Sequence, residues 1–257
     1  MITIEPEDVH LWAIFDHERI ADSLVDHYRC AILNDEERRR EVGYLAASAR
    51  RQYVIARALL RTAVAQCAGL DPTELVFSAS ASGKPALAGQ HANAGLIEFS
   101  ISHTAGAIVL GVAQNRRIGV DVERVKTRCF SAQSLGRFFD EDECTAIMAE
   151  PHSMRPAVFC RYWTLKEAYV KAVGATLPTA LRSVRFALYE GRIAAVFPPA
   201  LSPGPRWHFR LYQPTSDHLL SLCVEAPDGR DMRCIPHQEM SPVAENGADW
   251  PMLLDSQ

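Results

Sequence analysis

Ile118-Gly119-Val120-Asp121-Val122-Glu123 (IGVDVE) is the stretch from which the organisation of this chain can be read. Residues 118–122 read as a strand, and with them an order already seen once along the chain begins again. Before it, residues 9–15 (VHLWAIF) look like a buried strand. Two helical patterns follow over 35–47 and 50–67, the second ending at Gly69, where a C-terminal glycine is expected. Asp71-Pro72 marks a turn, and β-rich runs come at 75–78, 97–101 and 107–113. After it, Asp140 with Glu143 three positions on has the form of a capping box. A longer helix is expected over 156–173, closed by Gly174, and strand-like runs follow at 183–188, 193–197, 207–212 and 218–225. Each half goes strand, helices, several strands. The expectation is an α+β fold of two related, pseudo-symmetric lobes: an N-terminal lobe over 1–115 and a C-terminal lobe over 116–226. Residues 227–257 are rich in Pro, Asp and Glu and lose periodicity, so a loose tail is expected there.

Composition narrows the function classes. At 257 residues, 48% hydrophobic and 23% charged, the chain can bury a real core. Its net charge of −4 is no electrostatic match for nucleic acid, although a local basic patch could still serve a phosphorylated small molecule. The seven cysteines form no CxxC pair and are odd in number, which reads as reduced thiols in a cytoplasmic protein. The opening residues MITIEPEDVH are acidic and lack the apolar stretch of a signal peptide. No apolar run approaches the ~20 residues of a membrane span.

Five clusters carry chemistry. In a strand, residues two apart point the same way, so Asp121 and Glu123 project side by side while Val120 and Val122 face the other side. Two such carboxylates repel unless a cation sits between them, and oxygen ligands at this spacing suit Mg²⁺. A solvated strand end would carry the same pattern. Trp163–Gly174 (WTLKEAYVKAVG) places Glu167 and Lys171 at i and i+4 on one helix face, either as an exposed salt bridge or as a charged pair beside a bound polar group. Ser82–Leu87 (SGKPAL) contains Gly83-Lys84-Pro85, a tight turn presenting one lysine. In Phe99–Thr104 (FSISHT) the strand is expected to end, freeing Ser102 and His103 to contact an anion, although a lone histidine is commonly structural. Arg38, Arg39, Arg40, Arg50, Arg51 and Arg57 form a basic segment on predicted helices, where any single arginine can simply be solvated. A Ser-His-Asp triad is a poor alternative, since adjacent Ser102 and His103 do not offer the base–nucleophile geometry and GxSxG is absent.

Taken together and in this order, GKP at 83–85, SISHT at 100–104, GVDVE at 119–123 and WTLKEAYVKAVG at 163–174 resemble the surfactin-type 4′-phosphopantetheinyl transferases. The helix glutamate follows the strand glutamate by 44 positions, a separation typical of that family. The resemblance covers about residues 35–225 and nothing in the tail. It implies two α/β lobes in one chain that works as a monomer, and Mg²⁺-dependent transfer of phosphopantetheine from coenzyme A to a serine of an apo acyl- or peptidyl-carrier protein, with release of 3′,5′-ADP. By that resemblance Asp121, Glu123 and Glu167 match the metal carboxylates, and Lys171 matches a lysine beside the pyrophosphate. Ser102 and His103 match contacts to the coenzyme A phosphates, and Lys84 and Pro85 match the GKP turn. Arg40, then Arg39 and Arg51, stand where the family holds the 3′-phosphate. Glu167 is the expected proton acceptor and, with Lys171, the expected catalytic pair. Family habit favours a carrier of secondary metabolism. Another Mg²⁺-dependent nucleotide enzyme lacks support because neither a P-loop nor GxGxxG is present. A catalytically dead carrier-binding module is opposed by the intact Asp121, Glu123, Glu167 and Lys171.

Overall fold

A computed structural model of the chain describes residues 1–79, 83–89, 96–125, 132–175, 179–198, 206–226, 232–238 and 250–256. The strands in chain order are β1 (Asp8–Phe15), β2 (Phe77–Ala79), β3 (Pro85–Leu87), β4 (Ile97–Thr104), β5 (Ala107–Gln114), β6 (Ile118–Arg124), β7 (Arg185–Tyr189), β8 (Arg192–Val196), β9 (Trp207–Thr215), β10 (His218–Glu225), β11 (Arg233–Gln238) and β12 (Met252–Asp255). The helices are α1 (Asp22–Ala31), α2 (Asp35–Val42), α3 (Ala47–Ala68), α4 (Ala132–Leu135), α5 (Glu141–Ala149) and α6 (Arg155–Val173). The fold is mixed α+β, and none of the described helices is long and apolar enough to cross a membrane. Two compact units divide the chain. The first is Met1–Asn115 with Arg233–Ala248, the second Arg116–Met232 with Asp249–Gln257.

The first unit is built on a sheet of order β11-β1-β5-β4. Strand β5 (AIVLGVAQ) is apolar almost throughout because it lies inside the sheet and both its faces are covered. Val54, Ile55, Ala58 and Leu59 of α3 join Phe99, Ile108, Leu110 and Val112 of the strands in one core. Gly69 closes α3 with φ 68°, a left-handed turn that glycine adopts without a Cβ penalty.

The helix expected over 35–47 stops at Val42, and the chain turns before α3 begins at Ala47. Helix α1 went unread because its sequence is largely polar and Val25 is its one buried side chain. Strand β4 does not end before Ser102: it pairs with β5 as far as Thr104 opposite Ala107, because the turn to β5 lies beyond it. The Gly83-Lys84-Pro85 turn leads directly into β3, while Ser82 of the same motif lies outside the described residues.

The second unit holds a sheet of order β6-β10-β9-β12-β8-β7. Helix α6 packs on β6 and β10, burying Leu165, Ala168, Tyr169 and Ala172 with Phe209, Leu219 and Cys223. Asp140 and Glu143 form the expected capping box of α5, and Gly174 closes α6 with φ 67°.

The loose tail expected over 227–257 is corrected at two places. Strand β11 runs parallel to β1 with Arg233 opposite Asp8, and the Arg233 guanidinium donates to both Asp8 carboxylate oxygens at 2.6 and 2.9 Å. The His237 ring stacks on Trp12 with 4.4 Å between centroids. Strand β12 lies between β9 and β8, and Asp255 accepts hydrogen bonds from His208 Nε2 at 2.6 Å and Arg210 Nε at 2.9 Å. Both strands are held by ladder bonds and ion pairs, so a search for apolar periodicity passes over them. Residues 227–231, 239–249 and 257 of that segment lie outside the described residues.

Candidate functional site

The acidic centre belongs to the second unit. Strand β6 carries Asp121 and Glu123 on one side, and β10 pairs with it so that Ser221 stands opposite Asp121 and Leu219 opposite Glu123. Asp121 is buried at 5% exposure, whereas Glu123 is half-buried. Helix α6 crosses directly over this strand. A Cβ placed on Gly119 would stand 1.9 Å from the carbonyl oxygen of Ala168 and 2.5 Å from the amide nitrogen of Ala172. Only a residue without a side chain lets the helix backbone come so near.

That close approach brings the helix face to the strand carboxylates. Lys171 Nζ donates to Asp121 Oδ1 at 2.8 Å. The carboxyl of Glu167 is pushed up to about 7, first by burial and then by the negative charges of Asp121 and Glu123, against the opposing charge of Lys171. A hydroxyl pair adds a second tie between helix and sheet: Thr164 Oγ1 and Ser221 Oγ are 2.7 Å apart, and the threonine also bonds the Cys160 carbonyl at 2.8 Å. Thus Asp121, Glu123, Glu167 and Lys171, from two elements far apart in sequence, share one charged cluster.

The chemistry of the donors fits a hard divalent cation. Asp121, Glu123 and Glu167 offer only oxygen, and burial first, then the neighbouring carboxylates, raise Glu167, so that a cation among them would relieve both the desolvation and the repulsion. As the side chains stand, with the Lys171 ammonium against Asp121, no group of three or more His, Cys, Asp or Glu among the described residues is gathered to hold a metal ion.

The anion-binding residues read from the sequence lie in the first unit. Arg39 and Arg40 are exposed on α2; Arg39 Nε donates to the Asp35 carbonyl at 3.2 Å, and Arg40 takes part in no ion pair among the described residues. Arg51 is near the start of α3 and pairs with Asp22. The neighbouring Gln52 donates to the Thr104 carbonyl at 2.8 Å, which draws the first turns of α3 to the end of β4, where Ser102 is buried and His103 exposed. Lys84 lies 3.8 Å from Glu98 of β4, and Pro85 opens β3. Other arginines of the basic segment serve the fold. Arg57 pairs with Glu37 and covers the Phe77 ring, Arg38 bonds the Leu33 carbonyl, and Arg50 Nε donates to the Tyr44 carbonyl at 2.6 Å.

Two contributors were passed over in the sequence. Gly119 appears there only as a motif letter, and Lys166 as the neighbour of Glu167. The available signal was the small residues Ala168 and Ala172, one helical turn apart, able to meet a glycine on a strand.

The chain is similar to known proteins along most of its length. Residues 117–223 match the family model described as 4′-phosphopantetheinyl transferase superfamily, and residues 25–115 match that described as 4′-phosphopantetheinyl transferase, N-terminal. The 4′-phosphopantetheinyl transferase HetI of Nostoc sp. is 28% identical over 223 residues, covering 87% of this chain and 90% of that protein. A phosphopantetheinyl transferase of Thraustochytrium sp. is 29% identical over 242 residues, covering 88% and 82%. A 4′-phosphopantetheinyl transferase of Bacillus subtilis is 30% identical over 174 residues, covering 66% and 72%.

Proposed function

Because this chain belongs to the 4′-phosphopantetheinyl transferases, we propose that it moves the 4′-phosphopantetheine group of coenzyme A onto a serine of an apo acyl- or peptidyl-carrier protein, in an Mg²⁺-dependent reaction that releases 3′,5′-ADP. The observation that carries this reading is the charged cluster of Asp121, Glu123, Glu167 and Lys171, in which the Glu167 carboxyl is pushed up to about 7. In this reading Asp121, Glu123 and Glu167 would hold Mg²⁺, whose charge, when it is bound, neutralises the pyrophosphate under attack.

The chain's own residues supply the rest. Lys171 places a positive charge beside the pyrophosphate and opposes charge building on the leaving group. Glu167, the carboxylate that α6 brings to the cluster, accepts the proton of the carrier serine. In the first unit, Arg40, with Arg39 and Arg51, takes the 3′-phosphate. Ser102 and His103 at the end of β4 take the other phosphates, and Lys84 contacts coenzyme A from the turn that Pro85 makes rigid. Exposed arginine on α2 suits this task, because phosphate matches the planar guanidinium in two parallel hydrogen bonds. One chain matches both family models in succession, and we take the working form to be a cytoplasmic monomer serving secondary metabolism.

The test is mass spectrometry of apo acyl- and peptidyl-carrier domains incubated with this protein, coenzyme A and Mg²⁺. A carrier that gains phosphopantetheine while 3′,5′-ADP appears is the expected result. No gain on any carrier, with coenzyme A left intact, would overturn the reading.

A further inference from the structure

Lys166 precedes Glu167 on α6 and points elsewhere. With about 100° between successive residues, Thr164, Ala168 and Ala172 form one stripe of the helix. That stripe meets the sheet, through the Gly119 contact to β6 and the Thr164–Ser221 bond to β10. Lys166 lies on the far side of the helix from Ala168, yet its side chain is only 1% exposed. Its ammonium donates to the Leu181 carbonyl at 2.8 Å and the Val184 carbonyl at 2.7 Å, and lies 2.9 Å from Glu143 Oε2. Three partners use all three of its protons.

Glu143 is equally committed. Its Oε1 accepts from the Phe186 amide at 2.9 Å, at the start of β7, and its Oε2 accepts from the Asp140 amide at 3.0 Å in the capping box of α5. From the face of α6 opposite the Ala168 stripe, the pair therefore ties the helix to α5, to the segment 181–184 and to β7, at the far edge of the same sheet as β6 and β10. A buried ion pair is a weak source of net stability, because desolvating both charges offsets their attraction. What it does supply is a fixed direction. A helix held to a sheet along one stripe can roll on it, and a second grip on the opposite side removes that freedom. Glu167 and Lys171 lie at about 100° and 140° round from Lys166, on the flank between the two grips.

We propose that Lys166 and Glu143 are positioning residues whose buried pair sets the roll of α6, and so keeps Glu167 and Lys171 turned toward Asp121 and Glu123. The proposal rests on the reading of those four residues as the reacting centre. Neither Lys166 nor Glu143 touches substrate in it.

The experiment compares Lys166→Met, the neutral pair Lys166→Met with Glu143→Gln, and Glu167→Gln. Melting temperature, kcat, and KM for an apo peptidyl-carrier domain are measured at saturating coenzyme A and Mg²⁺, at a temperature where circular dichroism shows each variant folded. Lys166→Met leaves a carboxylate buried without its partner, and its melting temperature falls. The neutral pair regains the part of that loss that comes from the unpaired charge, while the Leu181 and Val184 carbonyls stay without the ammonium. Its kcat nevertheless stays at least about tenfold below that of the unmodified protein while KM for the carrier stays within about twofold, the pattern of misplaced reacting groups rather than lost docking. Glu143→Gln alone, which keeps both carbonyl bonds of the lysine, replaces the pair if the pair does not fold. A neutral variant with full kcat per folded molecule would reduce Lys166–Glu143 to a structural contact and overturn the proposal. Full activity in Glu167→Gln is a separate outcome: it would remove the reading of the reacting centre, and this proposal with it.

Discussion

The backbone of Ala168 passes so close to Gly119 that a Cβ there would stand 1.9 Å from its carbonyl oxygen. That contact governs how near α6 lies to β6, and with it the 2.8 Å bond from Lys171 to Asp121. Backbone cannot yield as the end of a flexible side chain can. Gly119→Ala should therefore lift the helix and cost about 1–3 kcal/mol of stability, as overpacked cores do. Transfer should fall further than the melting temperature suggests. Denaturant unfolding beside transfer rates checks this, and an alanine variant equal to the original in both would show that the helix can be displaced without harm.

Glu167→Gln separates charge from shape. Between the ordinary carboxyl value of 4.5 and about 7, the folded chain keeps a proton on Glu167 that the unfolded chain has released. Stability contributed by that protonated group is present below 4.5 and lost as pH rises toward about 7. Without Mg²⁺, the glutamine variant should melt at a higher temperature than the original above neutral pH and at a similar one in acid. Its transfer rate should fall by about 10²–10⁴-fold, the usual contribution of a positioned base. Thermal scans across pH with single-turnover rates decide it. Retained activity would exclude Glu167 as the essential base.

Arg40→Ala tests the 3′-phosphate. The guanidinium is exposed on α2 and in no ion pair among the described residues, so its removal should leave the melting temperature within a degree or two of the original. Coenzyme A binding should weaken about tenfold or more, and dephospho-coenzyme A much less, because only the former carries that phosphate. Isothermal titration with both ligands gives the answer, and an equal loss for the two would place Arg40 away from the 3′-phosphate.

Truncation after Glu225 should be severe. Strand β12 lies between β9 and β8, so its loss parts the six-stranded sheet, and β11 covers one edge of β1. Buried Trp250 and Leu254 would go with it. Losing large buried side chains costs about 2–5 kcal/mol each, enough to unfold much of the material at physiological temperature. A soluble, cooperatively melting truncated protein would show that both strands are dispensable.

Much of the fold was legible locally. Capping at Asp140–Glu143, the terminal glycines at 69 and 174, and the apolar runs of β1, β5 and β10 declare themselves because each depends on neighbours a few residues away. Strands β11 and β12 did not, since ion pairs and ladder bonds from distant parts of the chain hold them, and helix α1 did not, since its sequence is largely polar with Val25 its one buried side chain.

The sequence by itself determined which residue types stand at Asp121, Glu123, Glu167 and Lys171, and that each pair shares one side of its own element, because strand and helix periods are local properties of the backbone. Only the tertiary structure decided that the two pairs meet. Lys171 bonds Asp121 across 50 positions rather than serving only as the i+4 neighbour of Glu167, and Glu167 feels the charge of both strand carboxylates. That depends on the missing side chain at Gly119, the Thr164–Ser221 bond and the buried Lys166–Glu143 pair. Each of these joins residues whose separation along the chain gives no periodic signal, so only packing could bring them together.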